Sequence, residues 1–102
     1  MPMIQIETVR AEEWEEWVAE SDGILLDVRE PKEWKLGTLP RALLIPMSEL
    51  QARIEEIPKN KPILCICRSG ARSQQVAAYL KFNGYEAVSN MVGGMKALGM
   101  QK

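Results

Sequence analysis

At 102 residues the chain is read as one domain, residues 1–102, long enough to bury a hydrophobic core. Its 46% hydrophobic and 26% charged residues suit a soluble globular protein, and its formal net charge of -1 provides no basic footprint for nucleic acid or a membrane surface. Histidine is absent, which removes Ser-His-Asp and Cys-His pairs, histidine general bases and histidine-ligated metals together. No apolar run approaches the roughly 18 residues of a spanning helix. The start, Met1-Pro2-Met3-Ile4-Gln5, lacks the basic and apolar regions of a signal peptide, so a cytoplasmic location is expected.

Ile4 to Thr8 alternates apolar and polar residues, the pattern of a short half-buried strand. Ala11 to Glu20 reads as an amphipathic helix. Trp14, Trp17 and Val18 share one face, and Glu12, Glu13, Glu15 and Glu16 lie largely opposite. The tryptophans are read as core packing and the glutamates as a solvated face near a helix N-terminus. Ser21-Asp22-Gly23 turns the chain into Ile24 to Val28, a nearly continuous apolar run of the kind buried on both faces of a parallel sheet. Asp27 is the anomaly in that run. It is read as a structural carboxylate, paired with Arg29 or with backbone N–H groups, that buttresses a site at the carboxyl end of the sheet.

Glu30 to Trp34 suits a short helix with an early proline, and Lys35 to Arg41 a loop. Ala42 to Ile45 is a short strand stopped by Pro46. Ser48 is placed as the N-cap of a helix Glu49 to Ile57, with Leu50, Ile54 and Ile57 on one face. Pro62 to Ile66 is the most apolar strand and is expected to be central. A helix Ser73 to Asn83 packs Val76, Ala77, Tyr79 and Leu80 inward and ends at Gly84 in a left-handed conformation. Tyr85 to Ser89 reads as the last strand, Met91 to Met95 as loop, and a short helix closes the chain. The regular alternation predicts an α/β domain: a central, mainly parallel sheet of about five strands with helices on both faces.

The chemistry concentrates in Cys67-Arg68-Ser69-Gly70-Ala71-Arg72-Ser73, between the central strand and the following helix. Gly70 and Ala71 leave room for the backbone to curl, so that successive N–H groups converge on one point at a helix N-terminus, an anion-binding arrangement. Arg68 and Arg72 add positive charge. A cysteine at the base of such a loop is expected to ionise well below the free thiol value of about 8.5. The expected species is therefore a nucleophilic thiolate facing an anion, activated without histidine. Cys65, in the middle of the strand, reads as packing. Cys65 and Cys67 fit neither a four-thiolate zinc site nor a Cys-x-x-Cys redox site.

The loop resembles the active-site loop of the rhodanese family of sulfurtransferases. Leu26-Asp27-Val28-Arg29-Glu30-Pro31-Lys32-Glu33-Trp34 is similar to that family's D-V-R-E-P-x-E-[YFW] signature. Gly37-Thr38-Leu39-Pro40-Arg41-Ala42 is similar to its G-H-I-P-G-A segment, followed by Ile45-Pro46, and Gly93 to Leu98 to its closing G-G-x-x-A-W. Three departures stand out: Thr38 for histidine, Arg41 for glycine, which is expected to add charge near the site, and Leu98 for tryptophan. The resemblance implies a rhodanese-like fold and a sulfur carrier. Cys67 would attack the outer sulfur of thiosulfate or a persulfide, hold it as a persulfide, and pass it to cyanide, a thiol or a sulfur-accepting protein. The loop from Arg68 through Ser69, Gly70, Ala71 and Arg72 to Ser73 would bind the small anionic donor, with Asp27 and Arg29 in support. No cofactor, metal, nucleic acid or membrane is implied. Two alternatives stay open: a non-catalytic rhodanese-like binding or regulatory module, and a phosphatase or arsenate reductase-like enzyme. The second usually places five residues between cysteine and arginine, whereas Arg68 to Ala71 are four.

Overall fold

Ile63, Leu64, Cys65 and Ile66 are all buried, because the strand they form lies in the middle of the sheet. The computed structural model describes residues 5–100. Its strands are β1 (Glu7–Arg10), β2 (Ile24–Asp27), β3 (Leu43–Leu44), β4 (Ile63–Ile66) and β5 (Val88–Val92). Its helices are α1 (Trp14–Ser21), α2 (Pro31–Trp34), α3 (Leu50–Arg53), α4 (Ala71–Phe82) and α5 (Gly94–Ala97). The five strands run in the order β1-β5-β4-β2-β3, and every neighbouring pair is parallel. All strand C-termini therefore point to one edge, where α/β proteins gather their ligands. No helix among the described residues is long and apolar enough to cross a membrane.

Side chains alternate across the strands and split the core in two. Ile63, Cys65 and Cys67 join Leu26, Val28, Leu50, Ile57, Val76, Ala77 and Leu80 on the face covered by α3 and α4. Leu64 and Ile66 join Leu25, Met91 and Met95 on the other face, where Trp14, Trp17, Val18 and Leu98 of the α1 and α5 layer pack against them. Trp14 and Trp17 thus pack, half-buried, against the core, and Leu98 takes up a packing role.

Several element boundaries differ from the pattern-based expectation. The first strand lies at Glu7–Arg10, later than expected, and Ile4 lies outside the described residues. Helix α4 begins two residues early, at Ala71, because Gly70 at φ +106 makes the abrupt entry that a side chain would resist. Ser48 is not an N-cap. The chain enters a 3-10 turn, Met47–Glu49, directly after Pro46, and the Ser48 hydroxyl donates to the Glu30 carboxylate at 3.2 Å. Tyr79 does not point inward: Val76, Ala77 and Leu80 define the buried stripe, and Tyr79 falls about 100° away from its centre. The last strand starts at Val88, not Tyr85, and takes in Met91 and Val92. Tyr85 instead packs in the core and donates its hydroxyl to the carbonyls of Ile54 at 3.0 Å and Ile57 at 2.7 Å.

Candidate active site

Cys67 follows the end of β4, buried beneath the loop that leads into α4. The Gly70 N–H donates to its Sγ at 3.1 Å, and the Ser73 hydroxyl lies 3.3 Å from it. Burial alone would push the thiol pKa up. Hydrogen bonds from the Ser73 hydroxyl and from the N–H groups of Ser73, Gly70 and Ser69 outweigh it, and the pKa falls below the ordinary value. The site thus combines a thiolate-stabilising nest with the N-terminal end of a twelve-residue helix. Cys65 shows the opposite behaviour: burial, and then the neighbouring Cys67, push its pKa up, so it stays a protonated packing residue.

The rest of the loop divides by exposure. Arg68, Ser69 and Ala71 are exposed at the rim, Arg72 is half-buried, and Gly70 and Ser73 are buried. Arg72 forks onto Glu33 of α2, with Nη1–Oε1 at 2.7 Å and Nη2–Oε2 at 2.8 Å. That pair, more than any other contact, holds the Glu33 carboxyl down at about 2. Glu33 also caps its own helix reciprocally with Glu30. The signature around Pro31 is therefore joined to the cysteine loop through one bidentate bridge.

Asp27 and Arg29 form a buried ion pair behind that bridge. The Arg29 Nη2 meets Asp27 Oδ2 at 2.7 Å, and its Nε meets Oδ1 at 3.0 Å. The same guanidinium donates to the carbonyls of Glu33 at 3.3 Å and Gly37 at 2.8 Å. Asp27 is registered beside Ile66, next to the start of the loop. The pair thus fixes α2 and the turn after it, which in turn carry Glu33 to Arg72. Arg41 does not reach this edge. It lines a cavity with Gly23, Ile24 and Lys61, at the N-terminal ends of β2 and β4, so the charge that Arg41 was expected to add near the site lies elsewhere.

Two supports escaped the sequence reading. One is α5: the N–H groups of Met95 and Lys96 donate to the carbonyls of Cys67 and Arg68, each at 2.9 Å. This approach needs Gly94, where a Cβ would stand 2.3 Å from the Arg68 carbonyl oxygen. The Gly93-Gly94 pair was visible in the sequence, but its contact across the fold was not. The other is Asn90, buried on β5, whose side-chain amide donates to the Gly70 carbonyl and to Gln74 Oε1, each at 3.1 Å. A single asparagine in a predicted interval between strand and loop carries no sequence signal of this role.

A parallel α/β domain that seats a cysteine in a nest of N–H groups, past the end of its central strand, defines a class of cysteine-loop α/β proteins. Within that class the chain belongs to the rhodanese-like domain family, which it matches over residues 10–101. It is 46% identical over 76 residues to a sulfurtransferase from Allochromatium vinosum, covering 74% of this chain and 71% of that protein. It is 34% identical over 85 residues to the thiosulfate sulfurtransferase GlpE of Coxiella burnetii, covering 83% of this chain and 78% of that one. Its fold superposes on reduced Bacillus anthracis CoADR-RHD with a TM-score of 0.85 at 39% identity, over 93% of this chain but only 17% of that much longer one.

Proposed function

We propose that this protein is a sulfurtransferase that carries sulfane sulfur on Cys67. The observation that carries the reading is the Cys67 Sγ held 3.1 Å from the Gly70 N–H at the head of α4, with its pKa lowered by the surrounding donors. In the first half-reaction the thiolate attacks the outer sulfur of thiosulfate or of a persulfide donor. A new S–S bond forms at Sγ, the donor's S–S bond breaks, and sulfite or a thiolate leaves with the bonding pair. In the second, cyanide or a thiol attacks the terminal sulfur, and the electron pair of the enzyme's S–S bond returns to Cys67. No redox cofactor or metal enters this balance.

Loop roles follow from position. The N–H groups from Arg68 to Ser73 hold the transferred sulfur and the returning thiolate. Arg68, at the exposed rim, draws in the anionic end of the donor. Arg72 keeps its charge beside Cys67 while anchored to Glu33, and Asp27 and Arg29 hold that anchor in place. A cytoplasmic setting, with its reduced thiols, suits the acceptor step, and a sulfur-accepting protein is an acceptor compatible with a thiolate set just below the rim. Phosphoryl chemistry is disfavoured by the four residues between Cys67 and Arg72 and by the engagement of Arg72 with Glu33.

The test is intact-mass analysis after incubation with thiosulfate. A gain of one sulfur atom, lost on adding cyanide and absent in Cys67→Ser, is the expected result. Absence of any adduct with thiosulfate or a small-molecule persulfide overturns the sulfur-carrier reading and supports a binding module. Turnover of a phosphate ester that depends on Cys67 supports the phosphatase alternative.

A further inference from the structure

Ser73 has one hydroxyl proton and two acceptors. Its Oγ lies 3.3 Å from Cys67 Sγ and 2.5 Å from Asn90 Oδ1. The Asn90 amide is held one way round, because its nitrogen already donates to the Gly70 carbonyl and to Gln74 Oε1. Its oxygen therefore faces Ser73. Ser73 is 0% exposed and Asn90 4%, so the two side chains must satisfy each other within the protein. One proton between two acceptors goes to whichever carries more negative charge at that moment.

We propose that Asn90 is a positioning residue that acts on Cys67 through Ser73, accepting the hydroxyl proton whenever Sγ is uncharged and releasing it when Sγ is a thiolate. This rests on the reading of Cys67 as the sulfur carrier, because that cycle alternates the two states. In the free thiolate, Ser73 donates to Sγ and Asn90 Oδ1 gives up its donor. Once the persulfide forms, the negative charge moves to the terminal sulfur, Sγ becomes a neutral sulfide, and the hydroxyl turns to Asn90. Each covalent state thereby keeps a partner for the Ser73 hydroxyl, and neither becomes a deep trap. No covalent bond is made or broken at Ser73 or Asn90.

Other charges reach Cys67 from the packed elements and must be held constant. Arg72 lies on α4 with Glu33 of α2 and Glu30 behind it, Cys65 lies on β4, and Arg68 stands at the rim. Lys96 of α5 meets the loop through its backbone. None of these is altered by a change at position 90 or 73, so a double-mutant comparison isolates the relay.

The experiment follows the pH dependence of iodoacetamide alkylation at Cys67 in the free protein, without any sulfur donor. Four proteins are compared: wild type, Asn90→Leu, Ser73→Ala and the double variant, with Cys65→Ala as a common background. Removing the Asn90 acceptor leaves the Ser73 proton to Sγ. Relative to its effect in the Ser73→Ala background, Asn90→Leu should then lower the midpoint by about 0.5–1 pH unit, the size of the Ser73–Asn90 hydrogen bond that the thiol state loses. Equal shifts in the two backgrounds would mean that Asn90 merely supports the loop, and would overturn the proposal. Should Asn90→Leu not fold, the Asn90 carboxamide NMR signal of the wild type serves instead. It should titrate with the Cys67 midpoint and lose that step in Ser73→Ala; a signal that does not titrate with Cys67 refutes the relay. Because no donor is used, a failed relay is distinguishable from a failed sulfur transfer, which the mass experiment reads.

Discussion

Gly94→Ala tests whether α5 shapes the cysteine loop. At φ +59 an added Cβ would stand 2.3 Å from the Arg68 carbonyl oxygen, 2.5 Å from its carbon and 2.6 Å from the Cys67 carbonyl oxygen. All three are backbone atoms, so no side chain can swing aside. The loop and α5 must separate, and the hydrogen bonds from Met95 and Lys96 to the Cys67 and Arg68 carbonyls are the ones lost. The left-handed backbone costs an L-residue about 1–2 kcal/mol, and the two bonds about 1 kcal/mol each. The sum, about 3–4 kcal/mol, lowers the melting temperature of a domain of this size by about 12–30 °C. Gly99→Ala is the control: its φ is +74, yet nothing stands within 4 Å of an added Cβ, so it carries the backbone cost alone. Calorimetry on both variants separates the terms. Sulfite release from thiosulfate should fall about 100-fold in Gly94→Ala, as expected of a nucleophile displaced by about 1 Å. A Gly94→Ala variant that melts no lower than Gly99→Ala, or whose Cys67 is alkylated at the wild-type rate, would show that α5 does not shape the loop.

Glu33→Gln should lose most of its destabilising effect in acid. The native carboxyl is held at about 2, below the ordinary 4.5, so its contribution is present above about pH 4.5 and is lost as pH falls through the native value. Urea unfolding at pH 7 and pH 3 should show a smaller gap between wild type and variant at pH 3; equal gaps would refute the Glu33–Arg72 bridge as the cause. Arg29→Ala leaves Asp27 buried without its partner and should cost about 3–5 kcal/mol in the same assay. The paired change Asp27→Leu with Arg29→Met should recover part of that loss, whereas a double variant as unstable as Arg29→Ala would place the stabilisation in the Glu33 and Gly37 carbonyl bonds.

Local chemistry in the sequence was enough to define the alternating elements, the all-buried β4 and the cysteine loop. Apolar runs and helical spacing depend on neighbours a few residues apart, and a cysteine followed by glycine and arginines between strand and helix is a contiguous pattern. The Asp27–Arg29 pair was legible for the same reason, being two residues apart. Element edges were less so. Pro46, Gly70 and Tyr85 acted on them through turn geometry and through contacts such as the Tyr85 hydroxyl on Ile54 and Ile57.

Only the tertiary structure decided what holds the loop. Glu33 meets Arg72 across 39 positions, Asn90 meets Ser73 across 17, and α5 meets the Cys67 carbonyl across the C-terminal edge of the sheet. These partners become neighbours because β2, β4 and β5 lie side by side in a particular register, a non-local pairing that no window of sequence contains. Arg41 shows the same limit in reverse. Sequence similarity placed its charge near the site, and the direction of β3 carried it to the opposite edge. The sequence by itself determined where the cysteine sits and that a loop of adjacent backbone N–H groups surrounds it, since such a nest is built from neighbouring residues. The sheet decided which distant side chains tune it.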